Sequence, residues 1–299
     1  DSNLFNAAIL MILITSITSP LLVQRFAPQL VQAKEEVKQL PLFHRILVPI
    51  ANPETQENLL TLASLLAAAS KGRVLAVNVA RDEHGKDAAI AQQKQLLDKV
   101  PDLLDDPDSE VELIPRLSSS YAKGILHTAS EKEATLILMG WRGKRTLEQN
   151  ILGSVLDEVI WGSDLPVMVG KLNHALLGMR RVLLLLPAKA IAPEVVRRIL
   201  EANVILAKTL NIQLSVLADK SFMHQVQEML AALELEPPCE VEQMIGSLRV
   251  DDLHKTAESD LLVIPGFGSR QRFLANIGNL PERLANSFDG NILLLHFDR

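Results

Sequence analysis

Cysteine and aromatic residues are scarce in this chain. The 299 residues include one cysteine, Cys239, which excludes both an intrachain disulfide and a cluster of thiolate metal ligands. A chain without disulfides is typical of a reducing compartment. Phe, Trp and Tyr make up 4% of the residues, too few for the stacking platforms that bind single-stranded nucleic acids.

An excess of basic charge is also missing. The formal net charge is −6, and the 30 Lys and Arg residues form no long block. Nucleic-acid-binding proteins usually concentrate basic residues on one face or stripe, so we expect no nucleic-acid partner. With 48% hydrophobic and 22% charged residues the composition is that of a globular protein, and the length allows two domains.

Familiar catalytic and metal-binding motifs are absent as well. The seven histidines are scattered, and none forms an HxxxH or HExxH pair. "GSDLPVMVGKL" fails as a Walker A loop because Leu172 replaces its Ser or Thr, and "GFGSRQ" lacks the third glycine of a dinucleotide-binding fingerprint. Ser118–Ser120 is typical of a helix cap. We therefore predict no metal site, no catalytic residue and no enzymatic activity.

One segment departs from the globular pattern. Ser2 to Gln24 contains no charged residue, over the ~20 residues that a membrane-spanning helix needs. We predict a transmembrane helix in residues 1–25 and a linker in 26–42. Basic residues follow the run whereas only Asp1 precedes it, so the rest of the chain is expected in the cytoplasm. A signal peptide fits poorly, because Asp1 replaces its basic start; a buried core helix stays an alternative, because the run is polar at 15–19.

After the linker, short apolar runs alternate with amphipathic segments. "RILVPI" and "RVLAVNVA" are typical of strands, and "PETQENLLTLASLLAAAS" has helical spacing. This alternation predicts a parallel sheet with helices on both faces. From Arg180 the pattern restarts: "RRVLLLLPA" corresponds to "HRILVPIA", and "DDLHKTAESDLLVIPGFGS" to "GILHTASEKEATLILMGWRG". We predict an internal duplication with two α/β domains, 43–172 and 178–299.

The first repeat contains a glycine-rich stretch, "GWRGKRTLEQNILGS", directly after the apolar run "ATLILM". Gly140 and Gly143 allow backbone N–H groups to approach an anion, and Gly153 and Ser154 open a helix whose N-terminus favours negative charge. Arg142 is suited to bidentate contact with phosphate. The pattern predicts a phosphate-binding loop at the carboxyl ends of strands. The alternative is a strand-to-helix turn capped by Ser154.

The spacing of these glycines and of Ser154 resembles the G-2x-G-9x-G-(S/T) signature of ATP-binding universal stress protein domains. "ILVPI", "LILMG" and "DLPVMV" add to a resemblance that covers Phe43 to Lys171 well and Met179 to Arg299 more weakly. It implies two Rossmann-like α/β domains with five-stranded parallel sheets. It also implies ATP or AMP as the ligand, free or with Mg²⁺, and dimerisation through the last strand, so we expect a homodimer.

The resemblance also implies which residues contact the nucleotide. The phosphate and ribose loop of the family matches Met139, Gly140, Arg142, Gly143, Gly153, Ser154 and Val155. Val79, near the end of the second strand, matches the position whose backbone contacts adenine. Ala51 stands where the family usually has an aspartate that contacts ribose or adenine, so we expect affinity and base preference to differ from those of the family.

The second repeat departs further from the signature. Gly266 is present, but Ser269 stands for the second glycine, and Asn279 and Pro281 replace the Ser-Val pair at the helix start. We expect a degenerate site that binds no nucleotide and serves as a pseudo-dimer partner for the first repeat.

The N-terminal run "ILMILITSITSPLLVQRF" resembles the final membrane helix of monovalent cation:proton antiporter-2 family proteins. Some of these carry cytoplasmic universal stress protein domains after that helix. The chain is therefore expected to be the cytoplasmic regulatory region of a Na⁺/H⁺ antiporter, with the membrane transporter domain as its partner in cis. The alternative is a soluble tandem universal stress protein that binds nucleotides or partner proteins.

Overall fold

The computed structural model describes residues 5–16, 18–20, 22, 40–51, 53–81, 86–103, 110–141, 154–186, 192–233, 239–243, 258–268 and 280–297. The chain divides into two compact units, Asp1–Pro41 and Leu42–Arg299.

The first unit contains one described helix, α1, at 5–16, 18–20 and 22. Its large apolar side chains are between 47% and 68% exposed. The hydroxyls of Thr15 and Thr18 donate to backbone carbonyl oxygens one turn earlier, at 3.0 and 2.8 Å, so these polar groups are satisfied within the helix. In the part of the chain that is described, no helix has both the length and the hydropathy to span a membrane. The predicted transmembrane helix is therefore not confirmed.

The second unit alternates strands and helices, as the sequence predicts. Its described strands are β1 Arg45–Pro49, β2 Arg73–Arg81, β3 Val111–Ser118, β4 Leu136–Gly140, β5 Val167–Lys171, β6 Arg181–Leu186, β7 Gln213–Ala218, β8 Glu240–Gln243, β9 Asp260–Phe267 and β10 Asn291–Phe297. Its described helices are α2 Pro53–Ala69, α3 Lys86–Leu97, α4 Tyr121–Glu131, α5 Ser154–Gly162, α6 Pro193–Leu210, α7 Met223–Ala231 and α8 Leu280–Ser287.

All of these strands form one sheet, in the order β3-β2-β1-β4-β5-β10-β9-β6-β7-β8. Neighbouring strands are parallel except β5 and β10, which are antiparallel. The α/β class with a mainly parallel sheet is confirmed, but the prediction of two separate five-stranded sheets is wrong. The last strand of each repeat covers the open edge of the other, and an apolar edge left unpaired would be unfavourable. The predicted domain limits, 43–172 and 178–299, stay predictions.

Alternate residues of the strands point to opposite faces of the sheet and form two apolar cores. In β1, Ile46 and Val48 belong to one core and Leu47 to the other. Helices α2, α6 and α7 pack on the first face, and α4, α5 and α8 on the second. Each core includes residues of both repeats. The strands are therefore buried on both sides, which explains their continuous apolar runs.

The duplication is visible in the local geometry of α2 and α6. Each helix begins with a proline, Pro53 and Pro193, which fits the first turn because its missing N–H would be unpaired there. Each helix is followed by a residue in the left-handed region, Lys71 with φ 50° and Asn211 with φ 53°. These equivalent residues lie 140 positions apart (211 − 71 = 140), so the internal repeat predicted from the sequence is confirmed.

The segment that connects the repeats is tied to β10 by polar contacts. The backbone N–H of His174 donates to Asn291 Oδ1 at 2.9 Å, and Asn291 Nδ2 donates to the carbonyl oxygen of His174 at 2.9 Å. Asn291 is fully buried. Because both backbone groups of one residue in this connecting segment are satisfied by one amide, the segment has a defined position on the second repeat.

Lys171, the last residue of β5, is buried at this junction. Its ammonium group donates to the carbonyl oxygen of Phe288 at 3.0 Å. Burial lowers the pKa of Lys171 below its ordinary value of 10.5, and the negative charge of Asp289 partly opposes that shift.

We expect the free energy of unfolding to increase as the pH rises from the lowered pKa of Lys171 toward 10.5. In that window the unfolded chain still binds a proton on this side chain that the folded chain has already lost. Urea denaturation at neutral pH and at about pH 10 should show this increase in the natural sequence and a smaller one in Lys171→Met. Equal increases in the two proteins would contradict the prediction, because all other titrating groups are shared.

Candidate functional site

The candidate site lies where the strand order reverses in the first half of the sheet. β1 pairs with β4 through Ile46 with Leu136 and Leu47 with Ile137. Beyond these two pairs, the carboxyl ends of β1 and β4 are not paired within the described residues. The helices that follow the two strands, α2 and α5, pack on opposite faces. A crevice therefore opens between the strand ends, at the point where open α/β sheets bind ligands.

One wall of this crevice is the part of β2 that extends beyond the end of β1. The last pair between β1 and β2 is Pro49 with Val77, so β2 continues four residues further, to Arg81. The carbonyl oxygen of Val77 accepts a hydrogen bond from the chain that follows β1. Backbone groups two residues apart on a strand face the same neighbour, so the backbone of Val79 faces the crevice. Its side chain lies under α4, where a Cβ on Gly124 would be 2.5 Å from Val79 Cγ1.

Two buried amides hold the end of β1. Asn78 Nδ2 donates to the carbonyl oxygen of Ile50 at 2.6 Å, and Gln93 Nε2 donates to the carbonyl oxygen of Asn78 at 2.8 Å. Ala51 follows directly and is exposed, so position 51 offers the crevice a methyl group and no carboxylate. Neither amide was predicted from the sequence. An asparagine within the apolar run "RVLAVNVA" is the signal that could have identified one of them.

The opposite wall is formed by the end of β4. Met139 is buried beneath it, and Gly140 is half-buried and pairs with Gly170 of β5. The backbone N–H of Trp141 donates to the carbonyl oxygen of Gly170 at 2.8 Å. The Trp141 side chain is 4% exposed, and its indole N–H has no hydrogen-bond partner in the described part of the chain. A buried indole donor usually has a partner, and the described residues provide none for this N–H where the glycine-rich loop starts.

Most of the glycine-rich loop lies outside the described residues. Arg142, Gly143 and Gly153 fall there, and their predicted contacts stay predictions. Helix α5 begins at Ser154, and Val155 in its first turn is half-buried. The described geometry therefore places a helix N-terminus after the loop, as an anion-binding site of this kind requires.

The described charges around the crevice are few. Asp157, in the first turn of α5, is 5% exposed, and the helix dipole favours a carboxylate there. Arg81, at the end of β2, has its guanidinium 6.0 Å from the ring centroid of Tyr121. An anion at this helix would therefore depend on backbone N–H groups and on basic residues of the loop. The described residues include no group of three or more His, Cys, Asp or Glu side chains that could hold a metal ion.

The fold thus gathers predicted residues that are far apart in the sequence. The carboxyl ends of β1, β2 and β4 and the start of α5 meet at one edge of the sheet, and they bring together Ala51, Val79, Met139, Gly140, Ser154 and Val155.

The strand register of the second repeat shifts the alignment of its glycines by one residue. Leu47 pairs with Ile137 in the first repeat, and the equivalent Leu183 pairs with Leu262 in the second. Three residues further along, the position equivalent to Gly140 is therefore occupied by Pro265 and not by Gly266. Proline has no backbone N–H to donate to an anion. This difference agrees with a degenerate second site.

Comparisons with known proteins agree with this geometry. Residues 42–171 match the family model described as "Universal stress protein family". The chain is 29% identical over 218 residues to the Na⁺/H⁺ antiporter NhaS5 of Synechocystis sp., an alignment that covers 65% of the chain and 31% of that protein. The chain thus spans less than one third of the length of this relative.

Two solved structures resemble the chain over most of its length. One is a universal stress protein from Archaeoglobus fulgidus, with a TM-score of 0.60 and 17% identity over 85% of this chain and 97% of that one. The other is the cytoplasmic domain of a prokaryotic cation chloride cotransporter, with a TM-score of 0.57 and 11% identity over 85% of this chain and 96% of that one. Residues 42–171 therefore match the universal stress protein family, and the fold of the Archaeoglobus fulgidus protein extends over both repeats of the chain.

Proposed function

We propose that the chain is a regulatory region of a cation/proton antiporter and that its first repeat binds an adenine nucleotide, ATP or AMP. The observation that supports this most directly is the crevice between the ends of β1 and β4, which has the predicted loop and the start of α5 beside it. The relationship to a Na⁺/H⁺ antiporter supports the regulatory part of the proposal.

The residues at the crevice fit a nucleotide. The backbone of Val79 faces the side where a base would accept or donate hydrogen bonds. The N-terminus of α5 follows the loop that would hold the phosphates. Among the described residues, the Trp141 indole N–H is a buried donor without a partner next to Gly140. The side chain of Ala51 provides no acceptor for ribose hydroxyls, so we expect weaker selection for the ribose than in family members with an aspartate at this position.

Nucleotide binding would act on the second unit as a whole. The five pairs between β5 and β10 and the contact of α2 with α6 join the repeats, so rotating one against the other would break a buried sheet. The signal therefore passes from the loop at 142–153 to neighbouring surfaces of the unit, and from there to the transporter. Such regulation requires that the nucleotide bind more tightly in one transport state than in the other.

A membrane location for α1 is part of this proposal, with residues 43–299 on the cytoplasmic side. All described side chains of α1 are exposed although most are apolar, and a helix that is apolar all round needs an apolar environment. Fractionation of the intact gene product tests this: a protein that stays in the soluble fraction supports the soluble tandem universal stress protein instead.

The proposal includes no catalysis, since the described crevice presents no candidate base next to a nucleophile. Turnover of ATP that is lost when the loop is altered would contradict this part. A homodimer also stays a prediction. Because β5 and β10 are paired with each other, it would use a surface other than the last strands.

Replacing Gly140 and Gly153 together by alanine should weaken ATP or AMP binding at least about tenfold, equivalent to about 1.4 kcal/mol. The added Cβ atoms would hold the backbone away from the phosphates, which need close approach of N–H groups. Isothermal titration calorimetry measures the effect. Gly178→Ala is the matched control, because a Cβ at Gly178 meets no atom within 4 Å.

Tryptophan fluorescence provides a second measurement on the same proteins. The chain has two tryptophans, so Trp161→Phe leaves Trp141 as the single reporter beside Gly140. Nucleotide should change its emission with the same dissociation constant that calorimetry gives. Unchanged binding by the double glycine variant would show that the site has been assigned to the wrong loop.

A further inference from the structure

A cavity lies at the amino ends of the strands, whereas the crevice lies at their carboxyl ends. It has a volume of about 400 Å³ and is bounded by the C-terminal part of α2 and the start of β2. Ser64, Ala67 and Ala68 of α2 line it, together with Lys71 in the turn after the helix and Val74 of β2. These residues lie near the amino ends of the strands, so the cavity is separate from the proposed nucleotide site.

One side chain that lines this cavity is a buried polar group without a partner in the described part of the chain. Ser64 is 8% exposed, and its hydroxyl has no hydrogen-bond partner among the described residues. A buried hydroxyl that makes no hydrogen bond costs about 1–3 kcal/mol. The surrounding alanine and valine side chains cannot provide a donor or an acceptor. A ligand that reaches Ser64 with a polar group would remove this cost.

Two opposite charges stand at the mouth of the cavity. Lys71 and Glu110 both line it and both are exposed. In the described part of the chain they form no ion pair with one another or with a third residue. Their backbones are fixed, since the N–H of Val74 donates to the carbonyl oxygen of Glu110 at 2.9 Å and Lys71 ends the turn after α2. A molecule with a carboxylate and an ammonium group could satisfy both charges at once.

The equivalent region of the second repeat lacks these features. Residues of α6 and β7 follow those of α2 and β2 by 140 positions, which places Val204 at the position of Ser64 and Ile212 at the position of Gly72. Val204 is 5% exposed, and Ile212 packs against the core. Larger apolar side chains thus replace a hydroxyl and a glycine. The cavity is a property of the side chains of the first repeat and not of the fold.

We infer that this cavity binds a small zwitterion of the amino-acid class, with its carboxylate at Lys71, its ammonium group at Glu110 and a polar side chain directed toward Ser64. The alanine and valine walls contact the aliphatic part of the ligand. The volume lies within the range of about 300–1,000 Å³ that is typical of small-molecule sites. The site does not depend on nucleotide binding.

Calorimetric titration of the intact chain with each proteinogenic L-amino acid tests this inference. At least one with a polar side chain should bind with a dissociation constant of about 1 mM or tighter. Its N-acetyl derivative, which lacks the ammonium group, and its methyl ester, which lacks the carboxylate, should each bind at least about tenfold more weakly. No saturable binding by any amino acid overturns the inference.

The internal repeat supplies matched variants. Ser64→Val and Lys71→Asn introduce the residues that the second repeat has at these positions, Val204 and Asn211, and should abolish binding and weaken it about tenfold, respectively. Ser215→Ala removes another buried hydroxyl that has no described partner, far from the cavity, and should bind normally. Arg73→Gln is the charge control for Lys71. It removes a nearby positive charge that does not line the cavity, and it should bind normally. Binding that survives Ser64→Val in a folded protein would place the ligand elsewhere.

Discussion

Leu293→Asp should unfold both repeats together. Leu293 is fully buried in β10 and pairs with Gly170 of β5, so an aspartate there puts a carboxylate into the core that both repeats share. Burying a charge without a partner costs several kcal/mol, whereas whole domains are stable by about 5–15 kcal/mol. We expect a loss of at least about 4 kcal/mol, with one transition for the entire second unit.

Urea denaturation followed by two signals measures this effect. Both tryptophans, Trp141 and Trp161, lie in the first repeat, whereas the substitution lies in the second. Tryptophan fluorescence therefore reports on the first repeat and far-ultraviolet circular dichroism on both. Coincident transitions at lower urea are expected. If the fluorescence midpoint stays at its original value, the repeats unfold independently and the continuous sheet does not couple them.

The matched control for this substitution is Leu177→Asp. Leu177 is 81% exposed in the connection between the repeats, so the same change of residue there buries no charge. The free energy of unfolding should stay within about 0.5 kcal/mol of that of the natural sequence.

Gly72→Ala should destabilise the protein by about 3 kcal/mol or more, the upper part of the range for overpacked sites. A Cβ at position 72 would overlap the carbonyl oxygen of His44 and lie 2.5 Å from its carbonyl carbon and Cα. These are backbone atoms, which cannot move aside as the tip of a side chain can. The same oxygen accepts a hydrogen bond from the N–H of Arg73 at 2.8 Å, which the displacement would weaken.

Thermal and urea denaturation of Gly72→Ala and Gly178→Ala separate steric overlap from the general effect of removing a glycine. A Cβ at Gly178 meets no atom within 4 Å, so that variant should keep its stability or gain slightly from reduced freedom of the unfolded chain. Equal stability of the two variants would mean that the backbone at His44 yields at little cost.

Several features of the site could be predicted because they depend on local sequence. The alternation of apolar runs and amphipathic segments predicts strands and helices in their order, and the glycine spacing predicts a loop that ends at Ser154, where α5 begins. The positions of Val79 and Gly140 at strand ends follow from the same pattern. These predictions needed only the periodicity of side chains and the backbone freedom of glycine.

Other features depend on contacts between distant residues. The hydrogen bond from Asn78 to Ile50 joins positions 28 residues apart, and nothing near either residue specifies it. The cavity at Ser64 arises because α2, the start of β2 and Glu110, which come from separate parts of the chain, leave a space that their side chains do not fill. The equivalence of Pro265 and Gly140 became visible only through the pairing of the strands. The glycines of the two repeat sequences suggest an alignment one residue away.

By itself the sequence determined the α/β class, the duplication and the place of the glycine-rich loop, since each of these is written in short-range periodicity and in residue types with special backbone freedom. Only the tertiary structure decided that the two repeats share one sheet. Each repeat ends in an apolar strand with an open edge, and the sequence of such a strand does not specify which other edge will cover it. The pairing of β5 with β10 is settled by the shape and burial of the whole unit, with both cores continuing across the junction.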